Sequence, residues 1–278
     1  MLDFQLFRLK LLDPAQAEVF ATGDRSSVLT QALNERPTAQ LRAGYQWQVG
    51  NVEQLDEYGF YFAVGRISPG DVPQFDSETR DFVRVDFEQA PYTYALVDFR
   101  LGLLAVARNY QLSPRHVGIA RPIASLLSQT EVVSERRARV AVEPIRDPEE
   151  FIEYLRSAWA ITWFKMTFGL PNPFDVNKDF HQPMEKLLRD ADGTNGHTTV
   201  KGDQLDPDVL EDLARSAAST GEEASARMRF NEGGPLVRRS LTEKSVRLRQ
   251  EEPRDNESRF RLLETMRERY RSIRGDGQ

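Results

Sequence analysis

In run after run of this chain, apolar residues recur at every second position, and no regular strand–helix–strand rhythm organises those runs. A two-residue period sends successive side chains to opposite faces of a strand, whereas a helix repeats every three to four residues. The first run, residues 3–11, sets Phe4, Leu6, Leu9 and Leu11 around Asp3, Arg8 and Lys10. Residues 41–49 carry Tyr45, Trp47 and Val49 at period two, and residues 60–67 are aromatic and β-branched. Residues 82–87 put Val83, Val85 and Phe87 opposite Arg84 and Asp86. Residues 92–99 and 103–107 read as two more strands, joined in a hairpin at Arg100-Leu-Gly. Between these runs, Asp24 caps a short helix through Val28, Leu29 and Leu33 that ends before Pro37. Residues 67–79, with their Ser, Pro, Gly and Asp, read as a loop.

The rhythm changes after residue 112. Ser113-Pro114 opens a helix through Val117, Ile119, Ile123 and Leu127, kinked or divided at Pro122. Residues 139–145 form a strand with Val140 and Val142 inward. Asp147-Pro148-Glu149-Glu150 starts a helix that runs to about Ala158. Asp is its cap, Pro its first helical residue, and acids sit near the positive end of its dipole. Residues 161–168 return to strand with Phe164, Met166 and Phe168 on one side, stopped by Pro171 and Pro173. A helix over 177–190, a turn over 192–196, a short strand over 198–201 and a helix capped by Asp206-Pro207 follow. The tail holds strand-like runs at 224–230 and 245–249 and a helix over 256–273. That helix carries Phe260, Leu263, Met266, Tyr270 and Ile273.

These elements predict an α+β fold: a largely antiparallel sheet with packed helices, and an Arg-rich C-terminal ribbon and helix. The 278 residues suit about two domains or one large one. The composition divides the chain into a strand-rich domain at 1–112, a central α+β domain at 113–223, and a basic ribbon and helix at 224–278.

Several chemistries lack their residues. The chain has no Cys, which removes disulfides, thiolate catalysis and Cys-ligated metals. There is no Walker phosphate loop, no Gly-x-Gly-x-x-Gly and no Gly-x-Ser-x-Gly. None of the six Lys has a carboxylate two positions earlier, as an Asp…Glu-x-Lys nuclease requires. His181, His197 and Asp179 are the one conceivable metal set, and a helix surface and a turn explain them more simply. Trp159, Trp163 and Phe164 form the most aromatic patch, which core packing explains first and base stacking second. We therefore expect no catalytic residue, metal or cofactor. The N-terminus shows no basic region followed by an apolar stretch, and no run approaches the ~20 apolar residues of a membrane span. A cytoplasmic protein without membrane contact is expected.

Charge is the strongest positive signal. The chain carries 43 acids against 37 bases, a net −6. Residues 224–278 nevertheless hold 14 bases and 9 acids, net +5, leaving −11 for the rest. An acidic body with a basic tail points to nucleic-acid contact or self-association. Alternation puts Arg227 and Arg229 on one strand face, and Arg247 and Arg249 on another. If the two runs pair, four guanidiniums line one side of a ribbon, with Arg238, Arg239 and Lys244 in the connection. The Arg fork grips phosphate in pairs of hydrogen bonds. The plain alternative is that Arg is simply this chain's preferred base, 31 of its 37. The terminal helix offers a third reading, as a docking element for its own body or for a partner.

The order of elements over residues 90–202 also resembles a known group. It runs Tyr94-Ala-Leu-Val-Asp-Phe, Leu104-Ala-Val-Ala, a helix over 119–127 and Val140-Ala-Val-Glu-Pro-Ile. The 147–158 helix and a strand ending in Pro171-Asn-Pro173 complete it. This is similar to the family of the phage lambda Rex exclusion A component, and to the DNA-binding B component of the Kiwa defence system. The resemblance implies a dimeric DNA-binding protein of anti-phage defence without enzymatic chemistry. It supplies no residue-by-residue ligands.

The sequence thus predicts a non-enzymatic nucleic-acid-binding protein, with DNA as ligand and a homodimer as assembly. Its contacts would be Arg227, Arg229, Arg238, Arg239, Lys244, Arg247 and Arg249. The alternatives are an adaptor or subunit docking a protein partner through the terminal helix and, last, an enzyme using scattered carboxylates with His181 or His197.

Overall fold

A computed structural model describes residues 1–12, 24–169, 181–191, 193, 195–241 and 244–275. In chain order they form β1 (Leu2–Leu12), α1 (Arg25–Asn34), β2 (Thr38–Arg42), β3 (Tyr45–Gln54), β4 (Gly59–Asp76), β5 (Asp81–Gln89), β6 (Tyr92–Asp98) and β7 (Leu103–Ala107). Then come α2 (Val117–Ser128), α3 (Glu131–Glu135), β8 (Arg139–Pro144), α4 (Glu149–Ser157), β9 (Ala160–Gly169), α5 (His181–Asp190) and β10 (Asn195–Lys201). The chain continues with α6 (Pro207–Thr220), β11 (Ala224–Arg229), β12 (Val237–Ser240), β13 (Arg247–Gln250) and α7 (Asn256–Arg274). The expected stop at Pro171 and Pro173, the start of the 177–190 helix, and Asp179 lie outside the described residues.

The fold is α+β, and its strand pairing is antiparallel. A nine-stranded sheet runs β13-β1-β7-β6-β4-β3-β2. β8 shares an edge of β1 with β13, and β5 pairs the far half of β4. A four-stranded sheet runs β10-β9-β11-β12. The three sequence segments share these sheets: β8 and β13 join β1, and β11 joins β9.

Burial stacks the elements in layers. One face of the large sheet, through Phe7, Leu9, Phe60, Phe62 and Val97, packs on Val28 and Leu33 of α1 and Ile119, Ile123 and Leu127 of α2. The other face, through Phe4, Leu6, Leu96 and Leu103, packs on α4, α6 and α7. Phe164, Met166, Ala226 and Met228 of the small sheet close that second core from beyond. Helices therefore cover the large sheet on both sides and the small sheet on one.

The terminal helix is legible in detail. Asp255 and Ser258 form a reciprocal cap at its start, and Gly275 ends it in a left-handed conformation. Its stripe of Leu262, Leu263, Met266, Tyr270 and Ile273 is buried in the chain's own core, and Phe260 stays exposed. Arg267 locks the docking, reaching the fully buried Asp98 from Nε at 2.6 Å and Asp56 from Nη1 at 2.6 Å.

Three expectations need correction. Residues 67–79 are not a loop: β4 continues to Asp76 and pairs β5 over nine residues, from Ser68↔Gln89 to Asp76↔Asp81. Pro69 and Pro73 read as breakers, yet edge strands tolerate Pro because one side needs no ladder hydrogen bond. This hairpin projects from the body, and Val72, Phe75, Phe82, Val83, Val85 and Phe87 are all exposed. Pro122 does not divide α2, which passes through it unbroken. The ribbon pairing 224–230 with 245–249 does not form, because β11 pairs β9 and β12 while β13 pairs β1. Among the described residues no helix is long and apolar enough to cross a membrane.

Candidate nucleic-acid interface

β9 alternates Phe164, Met166 and Phe168 inward with Trp163, Lys165 and Thr167 outward. Register carries that outward face across four strands. Lys201 of β10, Trp163 of β9, Arg227 of β11 and Arg238 of β12 make one row. Thr199, Lys165, Ser225 and Ser240 make the next. His197 pairs with Thr167 beyond them. No carboxylate lies in the first two rows, and Glu223 stands opposite Thr167 in the third.

Two guanidiniums share the indole at the centre. Arg227 lies 5.1 Å and Arg238 5.7 Å from the Trp163 ring. Such contacts hold cations over a π face at about 0.5–1 kcal/mol each at exposed sites. Arg238 also donates from Nη2 to Ser225 Oγ at 3.3 Å. Among the described residues, no carboxylate forms an ion pair with Lys165, Lys201, Arg227 or Arg238. By contrast, Arg156 meets Glu211, Arg259 meets Glu53 and Lys10 meets Glu143.

The turn that delivers β11 is fixed locally. Gly221 ends α6 at φ +83°, and a Cβ there would stand 2.8 Å from that of Glu143. Beyond it, Glu223 and Thr167 hydrogen-bond reciprocally: the Thr167 amide donates to the Glu223 carbonyl, and the Glu223 amide to Thr167 Oγ1, each at 2.9 Å.

The contacts expected from sequence are dispersed. Arg227 and Arg238 meet on the outward face. Arg229 ends β11 beyond a shift of register between Arg227 and Met228, half-buried, its carbonyl accepting from the Trp159 amide at 2.8 Å. Arg239 points the other way, stacked on Tyr154 at 4.9 Å and Phe230 at 6.0 Å, where it fastens β12 to α4. Lys244 is exposed in the connection to β13. Arg247 and Arg249 sit on the edge of the large sheet, and Arg247 lies 3.6 Å from Asp3. Four guanidiniums on one ribbon face are therefore absent, and two guanidiniums and two ammoniums around a tryptophan stand elsewhere. Trp163 belongs to the aromatic patch for which base stacking is the second reading, and Lys165 and Lys201 escaped the charge count because they precede the basic tail. The signal that finds them is the alternation of β9, whose polar half is this face.

The other candidates stay apart. Among the described residues no His, Asp and Glu cluster suits a metal ion. His197 is exposed on β10. His116 is buried, with Nε2 donating to the Asp3 carbonyl at 2.9 Å and its ring 3.7 Å from the Asp3 carboxylate. No protein-family model matches the chain, and no curated protein matches it.

Proposed function

We propose that this chain binds nucleic acid on the outward face of the small sheet. The observation that carries the reading is the set of four cations without acidic partners among the described residues, gathered around Trp163 in a chain whose net charge is −6. Phosphates would bridge Lys201, Arg227, Arg238 and Lys165, and a base would stack against the indole and guanidinium planes. Antiparallel sheet faces with an aromatic residue bind unpaired strands by this combination. A flat face suits a single strand better than a groove, in which a ribbon would be needed. DNA is the ligand we favour, in a phage-defence or regulatory role, following the sequence resemblance. The protein-docking alternative loses its surface, since the stripe of α7 is already buried in the chain's own core.

Fluorescence anisotropy with labelled single-stranded DNA, duplex DNA and RNA across a salt series tests this. Four phosphate contacts on a single strand give a slope of about −3 in log K against log salt. Arg227→Ala with Arg238→Ala should abolish binding, whereas Arg247→Ala with Arg249→Ala should leave it nearly unchanged. Retained binding in the first pair, or no binding to any ligand at low salt, overturns the reading.

A further inference from the structure

The outward face does not stay flat. Where β12 stops and β11 begins, it falls into a cleft of about 440 Å³. The cleft is lined by Lys165 and Thr167 of β9, Ser225 of β11, Arg238 of β12, Arg146 after β8, and Glu223 after α6. Its volume falls within the ~300–1,000 Å³ of small-molecule sites. That leaves room for a phosphate together with the nucleoside that carries it.

The lining is preorganised. The Arg146 amide donates to the Ala218 carbonyl at 3.1 Å, and Arg146 bridges Ser245 across the chain. The reciprocal Thr167 and Glu223 hydrogen bonds fix the opposite wall. Ser225 Oγ accepts from Arg238, so its own proton is left for a ligand. Ser240, also in the lining, adds a second hydroxyl.

Charge selects the ligand. Arg146, Lys165 and Arg238 against Glu223 leave a formal +2, and Glu223 approaches Arg146 only to 3.7 Å. A phosphomonoester carries about −1.5 to −2 near neutral pH, with three acceptor oxygens. A phosphodiester within a strand carries one charge. We propose that the cleft is a phosphomonoester site that takes the phosphorylated end of a nucleic-acid strand. The following nucleotides would lie along the Lys201, Trp163, Arg227 and Arg238 row. This rests on the nucleic-acid reading above. It adds that the protein distinguishes strand ends from strand interiors.

The test uses the full chain and one single-stranded oligonucleotide sequence in three forms: 5′-phosphorylated, 3′-phosphorylated and unphosphorylated. The free nucleoside monophosphate is titrated separately by calorimetry. One phosphorylated form should bind at least about tenfold tighter than the unphosphorylated strand. Arg146→Ala should erase that preference and leave the affinity for the unphosphorylated strand unchanged. Ser240→Ala, which changes the cleft lining without touching the four strand-binding cations, serves as a second variant if Arg146→Ala unfolds the chain, with thermal melts monitoring both. Equal affinity for all three strands overturns the end-recognition proposal and leaves the nucleic-acid reading standing. Binding of the monophosphate without any strand supports the cleft and overturns the strand reading. Binding of neither overturns both.

Discussion

The two sheets obey the same alternation and end in opposite conditions. β1 of the large sheet is buried on both sides: its even residues Phe4, Leu6 and Arg8 and its odd residues Phe7, Leu9 and Leu11 all lie inside. β9 of the small sheet buries one side and leaves Trp163, Lys165 and Thr167 half-exposed on the other. A strand covered on both faces reads as nearly continuous apolar sequence, whereas one-sided cover leaves a clean polar half. The polar intrusions differ accordingly. Arg8 in β1 donates to Tyr270 at 2.9 Å and lies 5.7 Å from its ring, so it serves the core. Arg227 and Lys165 in the small sheet have no carboxylate partner among the described residues, so they are available to a ligand. A charged residue in a strand therefore acquires its meaning from what covers its face.

That contrast can be broken most strongly at the large sheet. Arg267→Ala would leave the buried Asp98 carboxylate without its guanidinium, and losing one partner of a buried pair costs about 3–5 kcal/mol. Urea denaturation should show that loss. A change of less than about 1 kcal/mol would mean that α7 is not held as described.

A sharper comparison lies within β9 itself, between neighbours facing opposite ways. Phe164→Ala removes a fully buried ring and should cost about 3–5 kcal/mol. Trp163→Ala, one residue earlier, should cost only about 1 kcal/mol from its lost cation contacts, while weakening strand binding. Thermal melts of the two variants, run side by side, check the difference. Equal losses would mean that the outward face is covered after all.

The pH dependence should come from the large-sheet side. Burial pushes His116 below its ordinary value of 6.5, and neighbouring Arg108 and Arg247 add to this. The Asp3 carbonyl and carboxylate offset them only in part. The unfolded chain takes up that proton near 6.5 and the folded chain resists it. The stability contributed by neutral His116 is therefore complete above about 6.5 and is lost as pH falls toward the lower folded value. The urea midpoint of the natural chain should decline over that window, and that of His116→Gln should decline less. Smallest of all, Lys201→Ala and Arg227→Ala should move stability by no more than about 0.5 and about 1 kcal/mol respectively, the latter from its lost contact with Trp163. A larger shift in their melting curves would mark them as structural.

Much of this architecture can be read locally. The cap at Asp206 is written in sequence, and so are the hairpin at residues 99–102 and the apolar stripe of α7. Pairing partners are not. Alternation in 224–230 and 245–249 fixes which side chains share a face, but it says nothing of which strand lies alongside. β11 found β9, some sixty residues earlier, and β13 found β1 at the opposite end of the chain. The basic tail is real as composition, but its two runs do not share the geometry the alternation implied. Half of the candidate face, Arg227 and Arg238, was visible through charge. Trp163 stood out in the aromatic patch with Trp159 and Phe164, for which base stacking is the second reading, whereas Lys165 and Lys201 are visible only as the outward positions of their strands.

The projecting β4–β5 hairpin has a practical consequence. Its tip, Ser77 to Arg80, is exposed and belongs to neither sheet core, and the chain contains no cysteine. A Ser77→Cys substitution would thus give a protein with a single reactive thiol. A fluorophore placed there would sit on an arm rather than on the outward face of the small sheet. It could report tumbling and assembly while the surface under test stays chemically untouched.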